Sequence, residues 1–337
     1  NIAEKRVPQD GRISYKSAGK DVDLRISVLP SVFGEKVVIR ITTALGLEMT
    51  KEGIGFLPEN LEKFNSLIKN PHGIILVCGP TGSGKTTTLY TALREIKRED
   101  INIVTVENPV EMIIEGITQV EVNAKAGLTF AAALRSILRQ DPDVVMVGEI
   151  RDPETAEIAI SAAITGHLVF STLHTFDAPS AIIRLLDMGV VPYMVSSSVA
   201  GVISQRLVRK LCPVCKEAYE AMESDRKLLG LSEDQTVALY RPAGCEKCHF
   251  TGYQGRTAVH EVMMVNHGIR HIINQSKGAD EIREEALKSG MQTLEDNGAA
   301  AGARREYLHI RIRGAAVLQR VRKAVSKKAR SFHAGIL

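Results

Sequence analysis

The sequence has no tryptophan, and aromatic residues make up only 4% of its 337 residues. We therefore expect no extended surface for stacking bases or sugars, because such surfaces are built from aromatic side chains. No apolar run approaches the roughly 18 residues that a membrane-spanning helix needs. No signal peptide opens the chain. Because it begins at Asn1 rather than Met, we expect it to be a piece of a longer protein.

Positive charge is scarce outside one end of the chain. Residues 301–337 hold ten Lys or Arg and one acidic residue, which leaves 33 basic and 38 acidic residues in 1–300, a net charge of −5. A body of this charge argues against a nucleic-acid partner. In the basic tail, residues 317–330 place valines on one helical face. This pattern fits either a membrane-surface helix or a solvated tail.

The order of predicted elements indicates an α/β fold. From residue 56 to 210, strands at 74–78, 101–106, 143–147 and 167–172 alternate with helices at 84–98, 130–140, 153–164 and 178–188. Such alternation predicts a parallel sheet with right-handed crossovers. The predicted organisation is the second half of an N-terminal α+β domain (1–45), a linker (46–55), a P-loop core (56–210), a tetracysteine subdomain (211–255), a C-terminal helical region (256–300) and a basic tail (301–337).

A glycine-rich motif lies between the first core strand and its helix. Residues 79–86 read GPTGSGKT and fit the pattern G-x-x-x-x-G-K-[ST] in the strand-to-helix context that the motif requires. Small residues let backbone N–H groups surround phosphate, and the helix N-terminus favours its negative charge. Lys85 would reach the β- and γ-phosphates of ATP, and Thr86 would bind Mg²⁺. The candidate nucleotide-binding residues are Gly79, Pro80, Thr81, Gly82, Ser83, Gly84, Lys85, Thr86 and Thr87.

Three polar residues end predicted strands of the same sheet. Glu107 follows the strand at 101–106, Glu149 follows 143–147, and His174 follows 167–172. Ligands of open parallel sheets bind outside the carboxyl ends of the strands. Glu149 would hold Mg²⁺ through water or polarise the attacking water. Each residue taken alone also fits a solvated loop.

Four of the five cysteines form two C-x-x-C pairs, Cys212 with Cys215 and Cys245 with Cys248. Two such turns can supply the four thiolates of a tetrahedral zinc site. Disulfides or cysteines without a ligand are the alternatives. The gap between the pairs is long for this type of site, so we expect a small helical insert. Cys78 stands alone in an apolar strand, which is typical of a reducing compartment.

With these motifs in place, the chain resembles the ATPases of type II secretion and type IV pilus assembly, the GspE/PilB family. The resemblance covers about residues 5–298. The segments that carry it are residues 5–12, 24–30, 34–40, 79–88, 106–111, 138–143, 148–152, 171–175 and 248–256.

The resemblance implies a RecA-like P-loop ATPase that acts as a homohexamer. Such a protein uses Mg-ATP at the cytoplasmic face of the inner membrane. It associates peripherally with platform and linker proteins and drives assembly of a pseudopilus or pilus. Segments 106–111, 144–149 and 169–174 match the family's Asp box, Walker B motif and His box. Arg25 and Arg40, which as isolated residues fit solvated strand cations, match arginines that reach nucleotide across a boundary. The four cysteines match a zinc-binding subdomain that retraction ATPases generally lack.

We expect three departures from the family pattern, one of which is that the given sequence lacks the family's N-terminal partner-binding domain and the first half of its second N-terminal domain. Asn108 stands where the Asp box usually has Asp, which leaves Glu107 as the better catalytic candidate in that box. The family's closing helix after residue 298 is replaced by the basic tail. Two alternatives remain from the residues themselves. One is a RecA-like nucleic-acid translocase, and the other is a nucleotide-binding module that does not hydrolyse ATP.

Overall fold

The computed structural model of the protein describes residues 1–17, 20–43, 49–223, 225–226 and 238–303. The chain divides into two compact units, Asn1–Met49 and Thr50–Leu337. Nearly all of the basic tail lies outside the described residues, as do residues 44–48, which span the end of the predicted N-terminal domain and the start of the predicted linker. The middle of the expected insert between the cysteine pairs, residues 227–237, also lies outside them.

The first unit contains a three-stranded antiparallel sheet. Its strands are β1 (Gln9–Ser17), β2 (Lys20–Ser31) and β3 (Gly34–Thr43), in that spatial order. The alternating sequence of residues 1–45 predicted strands here, and the structure confirms them.

The second unit is built on a seven-stranded sheet with the order β12-β9-β4-β8-β7-β5-β6. All neighbours in it are parallel except β12 and β9. Its strands are β4 (Gly73–Cys78), β5 (Ile103–Glu107), β6 (Thr118–Glu121), β7 (Val144–Val147), β8 (Leu168–Leu173), β9 (Val199–Leu211) and β12 (Tyr253–Met264). The predicted parallel α/β sheet is therefore confirmed in its centre.

Central strands read as continuous apolar runs because helices cover both faces of a parallel sheet. Every residue of β4, β7 and β8 is buried. The helices of the core are α1 (Pro58–Leu67), α2 (Lys85–Ile96), α3 (Phe130–Ile137), α4 (Pro153–Ile164), α5 (Ala178–Asp187) and α6 (Pro192–Ser198).

Three of these helices begin after a residue whose side chain caps the helix N-terminus. Thr129, Asp152 and Asp177 each accept a backbone N–H from the first turn of the following helix.

The largest difference from the sequence analysis concerns β12. Residues 256–264 open the segment predicted to be the C-terminal helical region, yet they form a strand that extends the central sheet. The helices of that region are α7 (His267–Asn274), α8 (Ala279–Lys288) and α9 (Leu294–Ala303). Strand β9 is also long, at 13 residues, and continues past the core to the first cysteine pair.

The cysteine-bearing segment lies at the far end of the β9–β12 hairpin. Within it, β10 (Lys216–Glu220) and β11 (Ala238–Pro242) form a separate two-stranded antiparallel sheet. Among the residues that the structure describes, no helix combines the length and apolar character needed to cross a membrane.

Candidate functional site

The glycine-rich motif forms a tight loop between the end of β4 and the start of α2. Gly79, Gly82 and Gly84 adopt φ angles of +147°, +75° and +89°, a region that side chains with a Cβ rarely enter. Gly79 also lacks room for a side chain, since a Cβ there would lie 2.5 Å from the Gln205 carbonyl oxygen. Gly84 precedes the first residue of α2 in the left-handed conformation. The predicted strand–loop–helix arrangement of the P-loop is therefore present.

The loop has the chemistry of an anion site. The hydroxyl of Ser83 is buried and has no hydrogen-bond partner in the described structure. A bound ligand is one way to satisfy a buried hydroxyl of this kind. The N-terminus of α2 points its free N–H groups into the same loop, and its first turn carries no acidic residue. These features fit a phosphate group.

Lys85 begins α2 and folds across the loop. Its ammonium group donates hydrogen bonds to the carbonyl oxygens of Gly79 at 2.9 Å and Pro80 at 3.2 Å. Partial burial lowers the pKa of Lys85, and the negative charge of Glu149 acts in the opposite direction. A cation held this close to the loop can neutralise phosphate charge. Thr86 and Thr87 follow it on the first turn of α2, half-buried.

Glu149 and His174 meet beside this loop, as their positions at strand ends predicted. Glu149 follows β7, and one of its carboxylate oxygens lies 3.5 Å from Nε2 of His174 and 2.6 Å from Nε of Arg151. The Glu149 side chain is 14% exposed and that of His174 is 46% exposed. This carboxylate can therefore reach solvent and a ligand.

Glu107 lies at the end of β5 in a different environment. Its side chain is buried, and its two carboxylate oxygens accept hydrogen bonds from Tyr90 Oη at 2.5 Å, Thr105 Oγ1 at 2.6 Å and Gln119 Nε2 at 3.1 Å. The sequence analysis placed Glu107 correctly at the end of a strand, but it did not predict that other side chains would surround its carboxylate. The Glu107 carboxylate thus accepts three hydrogen bonds from side chains of the protein itself.

Arg25 and Arg40 lie in the first unit. Arg25 on β2 is directly opposite Arg40 on β3 and Arg12 on β1. Residues directly opposite in an antiparallel sheet share a face, and like charges so placed destabilise the sheet. Arg12, Arg25 and Arg40 therefore form one row across the three strands. The sequence analysis assigned no role to Arg12, although it is the last residue of the segment 5–12 that carries the family resemblance.

The two cysteine pairs come together, as their spacing predicted. The sulfur atoms of Cys212, Cys215, Cys245 and Cys248 all lie within 4.8 Å of one another, and none forms a disulfide. Cys212 Sγ lies 3.9 Å from Cys245 Sγ, and Cys215 Sγ lies 3.7 Å from Cys248 Sγ. Four sulfurs at Zn–S bonds of about 2.3 Å in a tetrahedron are about 3.8 Å apart. The donor set therefore fits zinc.

The structure adds two residues that sequence reasoning missed, Tyr90 and Gln205. Both are buried and both approach the site from a neighbouring element, Tyr90 from α2 and Gln205 from β9. A local motif cannot reveal them, because each acts through a contact with a distant part of the chain.

Comparison with known proteins supports the predicted family. A family model described as "Type II/IV secretion system protein" matches residues 1–312. The chain is 51% identical over 298 residues to the type II secretion system ATPase E of Vibrio cholerae, covering 88% of this chain and 59% of that protein. It is 52% identical over 300 residues to the type IV pilus assembly ATPase PilB of Thermus thermophilus, covering 88% of this chain and 34% of that protein.

Solved structures agree with the fold. The pilus retraction motor PilT with bound ADP aligns with a TM-score of 0.55 and 29% identity, over 86% of this chain and 76% of that chain. The Legionella pneumophila ATPase DotB shares the fold with a TM-score of 0.65 at 21% identity, over 93% of this chain and 78% of that chain. The resemblance proposed from the motifs is confirmed. The chain belongs to the family of type II/IV secretion system proteins.

Proposed function

We propose that the chain is the catalytic part of an ATPase that couples Mg-ATP hydrolysis to assembly of a type II secretion pseudopilus or a type IV pilus. The observation that carries the proposal is the P-loop with its unsatisfied Ser83 hydroxyl beside Glu149 and His174. Relatives named as secretion and pilus assembly ATPases, about half identical over most of the chain, support it.

In this proposal the backbone N–H groups of the loop bind the phosphates. Lys85 would exchange its contacts with Gly79 and Pro80 for phosphate oxygens, and the hydroxyl of Thr86 would hold Mg²⁺. The bound ion would neutralise charge that develops on the β- and γ-phosphates.

The role of the base falls to Glu149 rather than Glu107. Glu149 reaches solvent, and His174 and Arg151 hold its carboxylate at the sheet edge. Glu107 is surrounded by Tyr90, Thr105 and Gln119, so we assign it to fixing the strand end. His174, 3.5 Å from Glu149, would help to orient its carboxylate.

Arg25 and Arg40 would, as the family resemblance implies, contact the triphosphate across a domain or subunit boundary. A guanidinium makes two parallel hydrogen bonds to phosphate oxygens, which suits this role. Closure would exclude water and couple the chemistry to motion. The Cys212, Cys215, Cys245 and Cys248 group would bind one structural Zn²⁺.

The assembly in this proposal is a homohexamer. It would act in the cytoplasm, peripherally at the inner membrane, on platform and linker proteins of the secretion or pilus apparatus. The aligned chain spans only 59% and 34% of the two relatives' lengths, so these partners are proposed for the longer protein. No nucleic-acid partner is proposed.

The test is phosphate release from Mg-ATP by the full-length protein and its Lys85→Ala variant. We expect turnover in the wild type and a loss of more than tenfold in the variant, because the lost phosphate contact costs several kcal/mol. Lys69→Ala, an exposed lysine after α1, is the matched control and should retain the wild-type rate. A wild type that binds but does not hydrolyse ATP would favour the non-hydrolysing alternative. Stimulation of turnover by single-stranded DNA would favour the translocase.

A further inference from the structure

Strand β9 lies beside the strand that leads into the P-loop. The parallel ladder between β4 and β9 ends with Cys78 opposite Ser204. The next residue on each strand is therefore Gly79, the first of the loop, and Gln205. The side chain of Gln205 is only 1% exposed, so its amide group is buried at the base of the loop.

Both ends of this amide are hydrogen-bonded to the loop or its helix. Gln205 Nε2 donates to the carbonyl oxygen of Ser83 at 2.7 Å. Gln205 Oε1 accepts a hydrogen bond of 2.7 Å from Oγ1 of Thr88, a buried residue of α2. One side chain on β9 thus ties the P-loop to the first turns of α2.

The glycines of the loop allow this approach. A Cβ on Gly84 would lie 3.1 Å from Gln205 Nε2, and a Cβ on Gly79 would lie 2.5 Å from the Gln205 carbonyl oxygen. Two of the three glycines with positive φ in the loop therefore also make room for Gln205.

The contact with Ser83 fixes a peptide plane. The carbonyl of Ser83 and the N–H of Gly84 belong to one planar trans peptide and point in opposite directions. Holding the carbonyl on Gln205 therefore turns the Gly84 N–H away from β9. Without this bond the peptide could rotate, and its N–H would have to be reoriented each time phosphate binds.

We propose that Gln205 is a positioning residue that preorganises the P-loop for phosphate. It acts through the Ser83 peptide and does not itself touch the nucleotide. This inference rests on the proposed nucleotide site. Because the loop is equally organised in the ground and transition states, Gln205 contributes to binding of nucleotide more than to the chemical step.

The experiment measures ADP affinity in the presence of Mg²⁺ by calorimetry, with steady-state ATP hydrolysis, on the full-length protein. Gln205→Met is similar in size and loses both hydrogen bonds. Gln205→Glu keeps the acceptor for Thr88 but places an oxygen against the Ser83 carbonyl. Both variants should raise the Kd for ADP and the KM for ATP about tenfold, with kcat changed less than threefold.

Two variants serve as matched controls. Thr88→Val removes the second hydrogen bond, together with a long 3.4 Å bond from Thr88 Oγ1 to the Gly84 carbonyl oxygen, but keeps the bond between Gln205 and Ser83. It should raise the Kd for ADP less than threefold. Ser204→Ala alters the preceding residue of β9, whose hydroxyl makes a long 3.4 Å bond to the Phe176 carbonyl oxygen and a hydrogen bond with the Cys78 thiol, and makes no hydrogen bond to the P-loop in the described structure. It should leave the Kd unchanged. Thermal unfolding of all four variants separates a fold defect from a local one.

The outcomes are distinct. If the wild type binds ADP and both Gln205 variants bind it equally well, or if Ser204→Ala weakens binding as much as they do, the inference is overturned. A fall in kcat with an unchanged KM would overturn it too, because it would place Gln205 in the chemical step. If the wild type binds no ADP, the proposed function itself fails.

Discussion

The hydroxyl of Tyr90 lies 2.5 Å from a carboxylate oxygen of Glu107 and also accepts a hydrogen bond from the backbone N–H of Glu111. Tyr90 belongs to the helix that starts at the P-loop, whereas Glu107 ends β5 and Glu111 follows it in the segment 106–111, which the sequence analysis matched to the family's Asp box. This buried contact therefore joins the phosphate-binding helix to the neighbouring strand of the sheet. Burial raises the pKa of the Tyr90 hydroxyl, which keeps it protonated and able to donate.

Tyr90→Phe should destabilise the protein. The change removes one donor from a buried carboxylate, and hydrogen bonds to charged groups contribute about 1.5–3 kcal/mol. We expect a loss of about 2 kcal/mol in the free energy of unfolding, measured by urea denaturation. Tyr193→Phe, at an exposed tyrosine of α6, is the control and should change stability by less than about 0.5 kcal/mol. Equal effects of the two substitutions would mean that the Tyr90–Glu107 bond contributes no stability.

Arg25→Ala and Arg40→Ala should each reduce ATP turnover by about 10³-fold, as loss of an arginine finger does, with a smaller effect on nucleotide affinity. If these arginines act on a neighbouring subunit's nucleotide, turnover per subunit rises with protein concentration. Mixing either variant with Lys85→Ala subunits should then partly restore activity, because each supplies the part that the other lacks. Lys36→Ala, on the same strand as Arg40, controls for loss of positive charge. Concentration-independent rates without recovery on mixing would place the arginines in their own subunit's site or on a solvated face.

The cysteine cluster should hold one Zn²⁺ per chain. Metal analysis of protein purified without added zinc tests this, and Cys245→Ser should lower the content substantially. Cys78→Ala is the matched control, because Cys78 is buried in β4 outside the cluster, and it should retain full zinc content. Chelation should increase hydrogen exchange in residues 211–255 while the sheet around the P-loop stays protected, since the metal closes only a local loop. Metal-free protein with four free thiols and an intact fold would disprove the site.

His260 predicts an acid-sensitive stability. Its ring is buried, stacks on Phe56 with centroids 3.8 Å apart, and neither ring nitrogen has a hydrogen-bond partner in the described structure. Burial lowers the pKa of His260 to about 3. The pKa of this histidine in the unfolded chain is about 6.5. Between these two pKa values the unfolded chain therefore binds a proton at His260, whereas the folded chain does not.

The contribution of unprotonated His260 to the free energy of unfolding is fully present above about pH 6.5 and is lost as the pH falls from there towards 3. At pH 5 the loss is about 2 kcal/mol relative to pH 7.5. His260→Phe keeps the stacking and removes the titration, so its unfolding free energy should fall less between these pH values. Denaturation curves of both proteins at several pH values check this. A difference between them that does not vary with pH would contradict the assigned burial effect.

The sequence allowed prediction of those parts of the molecule that depend on local patterns. The P-loop, the buried strands β4, β7 and β8, and the strand-end positions of Glu149 and His174 follow from short motifs and hydrophobic runs. The cysteine cluster followed from spacing alone. The P-loop, the strands and the strand ends are each specified by residues that are close together in the sequence, and the cysteine cluster is specified by two short C-x-x-C motifs.

The features that were missed depend on contacts between distant segments. Strand β12 joins the sheet through antiparallel pairing with β9, which no pattern within residues 253–264 specifies. The enclosure of Glu107 requires Tyr90 and Gln119 from other elements. Arg12 gains its place in the arginine row only from the register of β1 and β2.

The hairpin of β9 and β12 has a consequence for how this chain can vary. The chain leaves the central sheet at Leu211 and returns at Tyr253, and these two residues are partners in the ladder. Because Leu211 and Tyr253 are adjacent in space, the segment that connects them can have any length, from a short turn to a folded module. Residues 212–252 are thus a natural insertion site. We expect that this segment can be shortened or exchanged while the strands beside the P-loop keep their register.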